Sequence, residues 1–327
     1  MAVSFSSWKE LTSILDSDKK LLKKPNLPLM INQLNSLSLR MQDEELPRHA
    51  VICHVEAAHL YRRLGNSNEE RKQYATAAGL LTEEFQAAQD SRSRIHCSYP
   101  NEIADLYSKS VKLCLEMKAF RMAGLTTLEA AKFLIDSEQY EMAKEHAQKA
   151  VRLLEGDFFA YTRALYFLAE IHFHLSQWEN MLADIDDLWM SVMKTRSKNV
   201  AGGRMLRDLE VITVLVLQKC RFTPSGRHKI LKELYENDEN GGPQKSSLKS
   251  AIMDDSSLPP QEFAMFKKFL HLVSTGRNYE ARGLLFGDES TPADGSRRMQ
   301  PRLPFLSPLA MQVLERFLDE RQDDYGY

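Results

Sequence analysis

Four times in its middle third, the chain ends one helical stretch and begins the next with an aromatic residue. These aromatic residues are Phe120, Tyr140, Phe159 and Trp178. The sequence around them nearly repeats. Residues Glu116–Ala123 and Asp136–Ala143 each contain a polar turn, then an aromatic residue and, one helical turn later, an alanine. Helix-turn-helix units that recur at this spacing are typical of α-solenoids. We therefore predict an all-α, tetratricopeptide-like α-solenoid of antiparallel helix pairs, in which these four aromatic residues pack between helices.

Composition limits the classes of partner. The chain carries 43 basic and 45 acidic residues, a formal net charge of -2. Because nucleic-acid binding depends on clustered basic charge, we expect no nucleic-acid partner. The four cysteines are widely spaced and form no C-x-x-C motif, which indicates reduced thiols in a cytoplasmic protein.

The start of the chain has no apolar stretch suited to a signal peptide. Its longest apolar run, Val211–Leu217, is far too short to cross a bilayer. Helix-favouring residues precede this run, so we interpret it as a fully buried helix rather than a strand. We expect no direct insertion into a membrane.

Glycine, proline and serine content divides the chain. The predicted segments are a helical solenoid at 1–235, a flexible loop at 236–258, further helices at 259–286, a second flexible loop at 287–304, and a C-terminal amphipathic helix with an acidic tail at 305–327.

The C-terminal helix has an apolar face and an acidic edge. Its apolar face either docks back on the solenoid, the interpretation we favour, or binds in a groove of a partner. The predicted partner-binding residues are Glu315, Asp319, Glu320, Asp323 and Asp324.

No pattern in the sequence points to catalysis. Phosphate-binding, nucleophile-elbow and zinc-protease motifs are all missing. His49 and Cys53 stand four residues apart on one helix face, yet no second pair completes a zinc site, so we assign both a structural role. We predict a protein that is not an enzyme and that uses no catalytic residue, cofactor or metal.

An ordered series of segments carries a resemblance to a known family. It includes Leu21–Asn26, Leu113–Phe120, Arg207–Gln218 and Leu258–Phe263, and it extends over about residues 21–320. In this order the segments resemble the family of huntingtin-associated proteins of about 40 kDa, in a non-vertebrate form. Vertebrate members have a long proline-rich insertion where this chain has only a short segment near Thr195–Gly203.

The resemblance implies a scaffold that binds huntingtin, a HEAT-repeat protein, one to one and fixes its conformation. It also implies a cytoplasmic protein with a fraction on early endosomes, reached through a Rab GTPase, and it leaves a nuclear fraction open. The alternative is a soluble NSF-attachment-type solenoid that acts on SNARE complexes in vesicle fusion. Such an adaptor would need a basic concave face and an apolar loop, and neither is clear in the sequence.

Overall fold

The computed structural model describes residues 2–18, 25–91, 99–195, 200–219, 226–236, 256–286 and 306–323. Within these ranges the chain forms fourteen α-helices and no β-strand, which confirms the predicted all-α solenoid class. The helices are α1 (Ala2–Asp18), α2 (Leu27–Asp43), α3 (Pro47–Arg63), α4 (Ser67–Asp90), α5 (Tyr99–Glu116), α6 (Phe120–Asp136), α7 (Tyr140–Leu154), α8 (Phe158–His174), α9 (Trp178–Thr195), α10 (Val200–Lys219), α11 (Gly226–Glu236), α12 (Pro260–Ser274), α13 (Asn278–Phe286) and α14 (Pro308–Asp323).

One kind of turn joins many of these helices. Between α5 and α6, the Lys118 N–H donates to the Leu115 carbonyl (3.0 Å) and the Ala119 N–H donates to the Cys114 carbonyl (2.8 Å). These two bonds define a Schellman motif, in which the middle residue of the turn, here Lys118, takes a left-handed conformation. The same pair of bonds closes the turns at 44–46, 64–66, 137–139, 175–177 and 275–277. The left-handed residues are Glu45, Gly65, Lys118, Glu138, Ser176 and Gly276.

The helices divide between two compact units, Met1–Ile171 and His172–Tyr327, and the division falls within α8. In the first unit, each helix from α1 to α6 packs against the next one along the chain. This sequential packing is the solenoid pattern. The predicted boundaries of the solenoid stay a prediction, and the predicted loops at 236–258 and 287–304 lie almost wholly outside the described residues.

Small residues let neighbouring helices approach closely in the first unit. Ala123 and Gly124 of α6 and Ala143, Ala147 and Ala150 of α7 are all buried, and α6 packs against α7. A Cβ atom added to Gly124 would lie 2.6 Å from the Cγ atom of Leu154, a buried side chain of α7. Position 124 therefore has room for a hydrogen atom and nothing larger.

In the second unit, α10 packs against α9, α11 and α14. Residues 209–217 of α10 are buried without interruption, so the interpretation of Val211–Leu217 as a buried helix is confirmed. Helix α13 packs against both α12 and α14. The second unit is thus built around an apolar helix rather than as a simple row of pairs.

We expect Gly124→Ala to destabilise the protein by about 1–2 kcal/mol, because overpacking against Leu154 outweighs the gain in helix propensity. Gly79→Ala is the matched control: Gly79 also lies inside a helix, but an added Cβ there meets nothing within 4 Å. That variant should be more stable than the parent by about 0.5–1 kcal/mol. Thermal melting measures both, and shifts of the same sign would contradict the prediction.

Candidate protein-interaction surfaces

Two of the four aromatic residues predicted to pack between helices lie at the surface instead. Phe120 is 55% exposed and Phe159 is 73% exposed. They are the first residue of α6 and the second residue of α8. Because the Cα–Cβ bond points toward the helix N-terminus, a side chain in the first turn extends past the end of its helix. The packing prediction is therefore wrong for these two residues.

The other two aromatic residues are half-buried. In the second unit, the Trp178 ring meets the Phe173 ring edge to face, with 5.9 Å between centroids. The Arg316 guanidinium lies 5.0 Å from the centroid of the Trp178 ring. In the first unit, burial raises the pKa of the Tyr140 phenol. Trp178 thus has a packing role, and Tyr140 is partly enclosed.

A salt bridge links the start of α6 with the turn before α8. Arg121 Nε donates to Asp157 Oδ2 at 2.7 Å. The same hydrogen bond holds the pKa of Asp157 below its usual range. The bridge brings the starts of α6 and α8 together at one edge of the first unit, since α7 runs back between them.

We call this region the aromatic edge and define it by Met117, Phe120, Met122 and Phe159, all exposed. Phe120 adjoins Arg121 in the chain, and Phe159 lies two residues after Asp157. Protein–protein interfaces are enriched in aromatic residues, methionine and arginine. A group of exposed apolar side chains around an ion pair has this composition, which makes the aromatic edge a candidate interaction surface.

The C-terminal helix α14 docks within the second unit, in agreement with the favoured alternative. Its buried face consists of Leu309, Ala310, Val313, Leu314, Phe317 and Leu318. Arg316 links α14 to the end of α8 and the turn after it by hydrogen bonds. The Arg316 guanidinium donates to the Phe173 carbonyl (3.1 Å) and to Ser176 Oγ (2.7 Å).

Two of the five predicted acidic contact residues have described side chains. Glu315 and Asp319 are both exposed, and Asp319 forms an ion pair with Arg282 of α13. Glu320 and Asp323 belong to α14, but their side chains lie outside the described part, and Asp324 lies outside it altogether. The described acidic side chains therefore face solvent, while the apolar face of α14 is used inside the unit.

Asp208 connects α10 to the start of α14. Its carboxylate accepts hydrogen bonds from the backbone N–H and the hydroxyl of Ser307, and the Ser307 hydroxyl oxygen accepts from the Ala310 N–H (3.2 Å). Burial raises the pKa of Asp208 to about 6, because it disfavours the charged carboxylate more than the two Ser307 donors favour it.

A fully buried carboxylate, Glu210, lies at the centre of α10. It accepts hydrogen bonds from the Tyr235 hydroxyl (2.7 Å), the Ser256 hydroxyl (2.6 Å) and the Ser257 N–H (2.5 Å). These bonds hold Ser256 and Ser257, near the end of the predicted loop at 236–258, against α10. The flexibility of that loop stays a prediction. In the sequence, the only indication of this buried site is that Glu210 directly precedes the apolar run Val211–Leu217.

His49 and Cys53 occupy structural positions in the first unit. The Cys53 thiol lies 3.7 Å from the Met41 sulfur, and burial raises the pKa of that thiol to about 12. The His49 ring meets the Trp8 ring edge to face at 5.5 Å. Among the described residues, no group of three or more histidine, cysteine, aspartate or glutamate side chains is placed to hold a metal ion.

The described helices include none with both the length and the apolar character needed to cross a membrane.

The raised pKa of Asp208 predicts how stability depends on pH. The folded chain binds a proton at this site more tightly than the unfolded chain, so the stabilisation is complete below about pH 4 and is lost as pH rises through about 6. Asp208→Asn keeps an acceptor for Ser307 without the buried charge. We expect it to melt above the parent at pH 7.5 and to lose most of that advantage at pH 4.5. A difference in melting temperature between Asp208→Asn and the parent that is the same at both pH values would contradict the raised pKa of Asp208.

Residues 101–206 match the model of the protein family described as ChAPs (Chs5p-Arf1p-binding proteins). The matched stretch runs from α5 to the beginning of α10 and contains the aromatic edge. No match is found among curated proteins. The family match gives no support to the huntingtin-associated family in particular, so that resemblance stays a prediction. Over about a third of its length, the chain is similar to a family named for binding other proteins.

Proposed function

We propose that this protein is a non-enzymatic helical adaptor of vesicle trafficking that binds partner proteins through exposed edges of its helices. The observation that carries the proposal is the aromatic edge: large apolar side chains are exposed within the stretch that matches the ChAPs family. Stacked helix pairs offer extended surfaces of this kind to partners. In this proposal the chain has no catalytic residue and needs no cofactor or metal.

The proposed partner is huntingtin, bound one to one, with the adaptor fixing the conformation of its HEAT repeats. The support is the ordered resemblance from Leu21–Asn26 to Leu258–Phe263. The all-α solenoid class is what that resemblance implies. In this proposal the adaptor is cytoplasmic, and a fraction reaches early endosomes through a Rab GTPase bound by the complex.

A second candidate partner is a GTPase of the Arf kind. It is favoured by one observation, the match of residues 101–206 to a family described as binding Arf1p. The two candidates can be separated, because a HEAT-repeat protein would persist in the complex whatever nucleotide is added. An Arf-type GTPase would be retained only in one nucleotide state.

The experiment is an affinity capture of the tagged full-length chain from cytosol, followed by mass spectrometry, with GTPγS or GDP present. One very large HEAT-repeat protein at equal stoichiometry in both samples supports the huntingtin complex. An Arf-type GTPase captured only with GTPγS supports the second candidate. A SNARE complex would instead support the alternative of an NSF-attachment-type adaptor and overturn both.

We expect the cellular level of the protein to depend on huntingtin. A partner that binds only the folded chain stabilises it by mass action, by about 2.7 kcal/mol when the partner is at a hundred times its Kd. Depletion of huntingtin should therefore shorten the half-life of the protein, measured after translation is stopped. Expression of huntingtin from a second gene copy should restore it, and an unchanged half-life would refute obligate pairing.

The acidic edge of α14 should contribute to the rate of association. We expect reversal of the charges on Glu315, Asp319, Glu320, Asp323 and Asp324 to slow binding to huntingtin and to weaken the dependence of that rate on salt. Rim charges steer association more than they slow dissociation. Arg316 is left intact, but reversal of Asp319 also breaks its exposed ion pair with Arg282, so the melting temperature is measured as the control for the docking of α14. If the association rate of the charge-reversed variant depends on salt as strongly as that of the parent, α14 is not part of the interface.

A further inference from the structure

The hydroxyl group of Ser307 holds the start of α14 in two ways. Its oxygen accepts a hydrogen bond from the Ala310 N–H (3.2 Å) and so caps α14. Its one proton is donated to the carboxylate of Asp208 on α10, which also accepts from the backbone N–H of Ser307. The contact between α10 and the start of α14 therefore depends on a hydroxyl group that still carries its proton.

Ser307 is followed directly by a proline. Pro308 is exposed and begins α14, while Ser307 is half-buried. The residue before a proline is biased toward extended backbone, the conformation in which protein kinases bind their substrates. Proline-directed kinases require proline at this position, because their substrate groove offers no acceptor for a backbone N–H there and proline has none. Two further dipeptides of this kind, at Thr223 and Thr291, lie outside the described residues.

We propose that Ser307 is a phosphorylation site for a proline-directed kinase and that the phosphate releases α14 from α10. In the transfer, Ser307 Oγ attacks the γ-phosphorus atom of ATP, the bond from that atom to the bridging oxygen breaks, and ADP leaves with the electron pair. The hydroxyl proton passes to the catalytic aspartate of the kinase. This inference goes beyond the proposed function and does not depend on the identity of any partner.

A phosphate on Ser307 opposes the contact with Asp208. The ester oxygen has no proton to donate, and the phosphate places a charge of about −1.5 to −2 beside a carboxylate. Docking without repulsion then requires a protonated Asp208. With a pKa of about 6, only about one docked, unmodified molecule in thirty has this proton at pH 7.5. Phosphorylation therefore weakens the docking of α14 by up to about thirtyfold.

Two effects work against release. A phosphate at a helix N-terminus is favourable, but it acts within α14 and favours the helix whether α14 is docked or released. Arg207 is a positive charge close to Asp208. It is already paired with Glu262 of α12, with 3.5 Å between Nη1 and Oε1. Capture of the phosphate by Arg207 would have to break that pair.

Hydrogen–deuterium exchange of the full-length chain measures the release, because a free helix of 16 residues is only marginally stable in water. The variant carries phosphoserine at position 307, incorporated during translation. We expect the amides of α14 to exchange about tenfold faster than in the parent at pH 7.5. Exchange in α3 and α4 should not change, which shows that the variant is folded.

Asp208→Asn provides the matched control. Its amide is neutral and can donate to the phosphate, so we expect phosphoserine to speed the exchange of α14 by less than about threefold in D208N. Equal acceleration in the parent and in D208N would show that the phosphate acts without Asp208 and would overturn the proposal. Slower exchange of α14 in the phosphorylated parent would show that Arg207 captures the phosphate, and it would overturn release.

A second measurement asks whether a kinase reaches Ser307. The full-length chain is incubated with ATP and a purified proline-directed kinase, and its peptides are mapped by mass spectrometry. Arg316→Ala removes the hydrogen bonds from α14 to the Phe173 carbonyl and to Ser176 Oγ. Because the kinase acts on the released segment, we expect Ser307 to be phosphorylated at least about threefold faster in R316A than in the parent.

A synthetic peptide of residues 301–313 is the control for the kinase. Ser307 that stays unmodified in R316A, while the peptide is fully modified, overturns the assignment of the site. A peptide that is not modified overturns it as well, since the kinase then does not accept this sequence. None of these outcomes bears on the huntingtin complex, so the proposed function stands or fails separately.

Discussion

The structure depends on a turn that ends a helix with one left-handed residue. In six places within the described part of the chain, such a residue lets two backbone N–H groups donate to carbonyl groups that have no partner inside the preceding helix. Only Gly65 and Gly276 take this conformation without steric cost, whereas Glu45, Lys118, Glu138 and Ser176 each take it at a cost of about 1–2 kcal/mol. Two satisfied carbonyl groups and the packing of the next helix offset that cost. The chain thus returns on itself within three residues, and consecutive helices become neighbours.

These short turns determine where the aromatic residues lie. Phe120 and Tyr140 follow successive turns, so they begin helices at opposite edges of the first unit. One is exposed and the other is half-buried. Phe159 returns to the edge of Phe120, as the bridge between Arg121 and Asp157 shows. A repeat that looks uniform in sequence therefore gives two unlike edges, and the exposed one becomes the surface available to a partner.

The helices could be predicted from the sequence because their periodicity and their turn residues are local signals. The polar turn predicted before Tyr140 is the observed turn at 137–139, and α7 begins at Tyr140 itself. The exposure of Phe120 and Phe159 could not be predicted, since a first-turn side chain is buried only if a neighbouring helix extends past it. The same holds for Arg316, whose partners lie about 140 residues earlier in the chain. Nothing in the local sequence marks such a contact.

The docking of α14 shows how one helix can serve both the fold and a partner. Its apolar face is buried in the second unit, and Arg316 is used against Phe173 and Ser176. Glu315, the neighbour of Arg316, is exposed because adjacent residues on a helix point in directions about 100° apart. If α14 instead bound a partner through its apolar face, that face would first have to leave the second unit and expose six apolar side chains. Contact through the outer acidic side avoids this cost, so the docked helix and the proposed electrostatic contact are compatible.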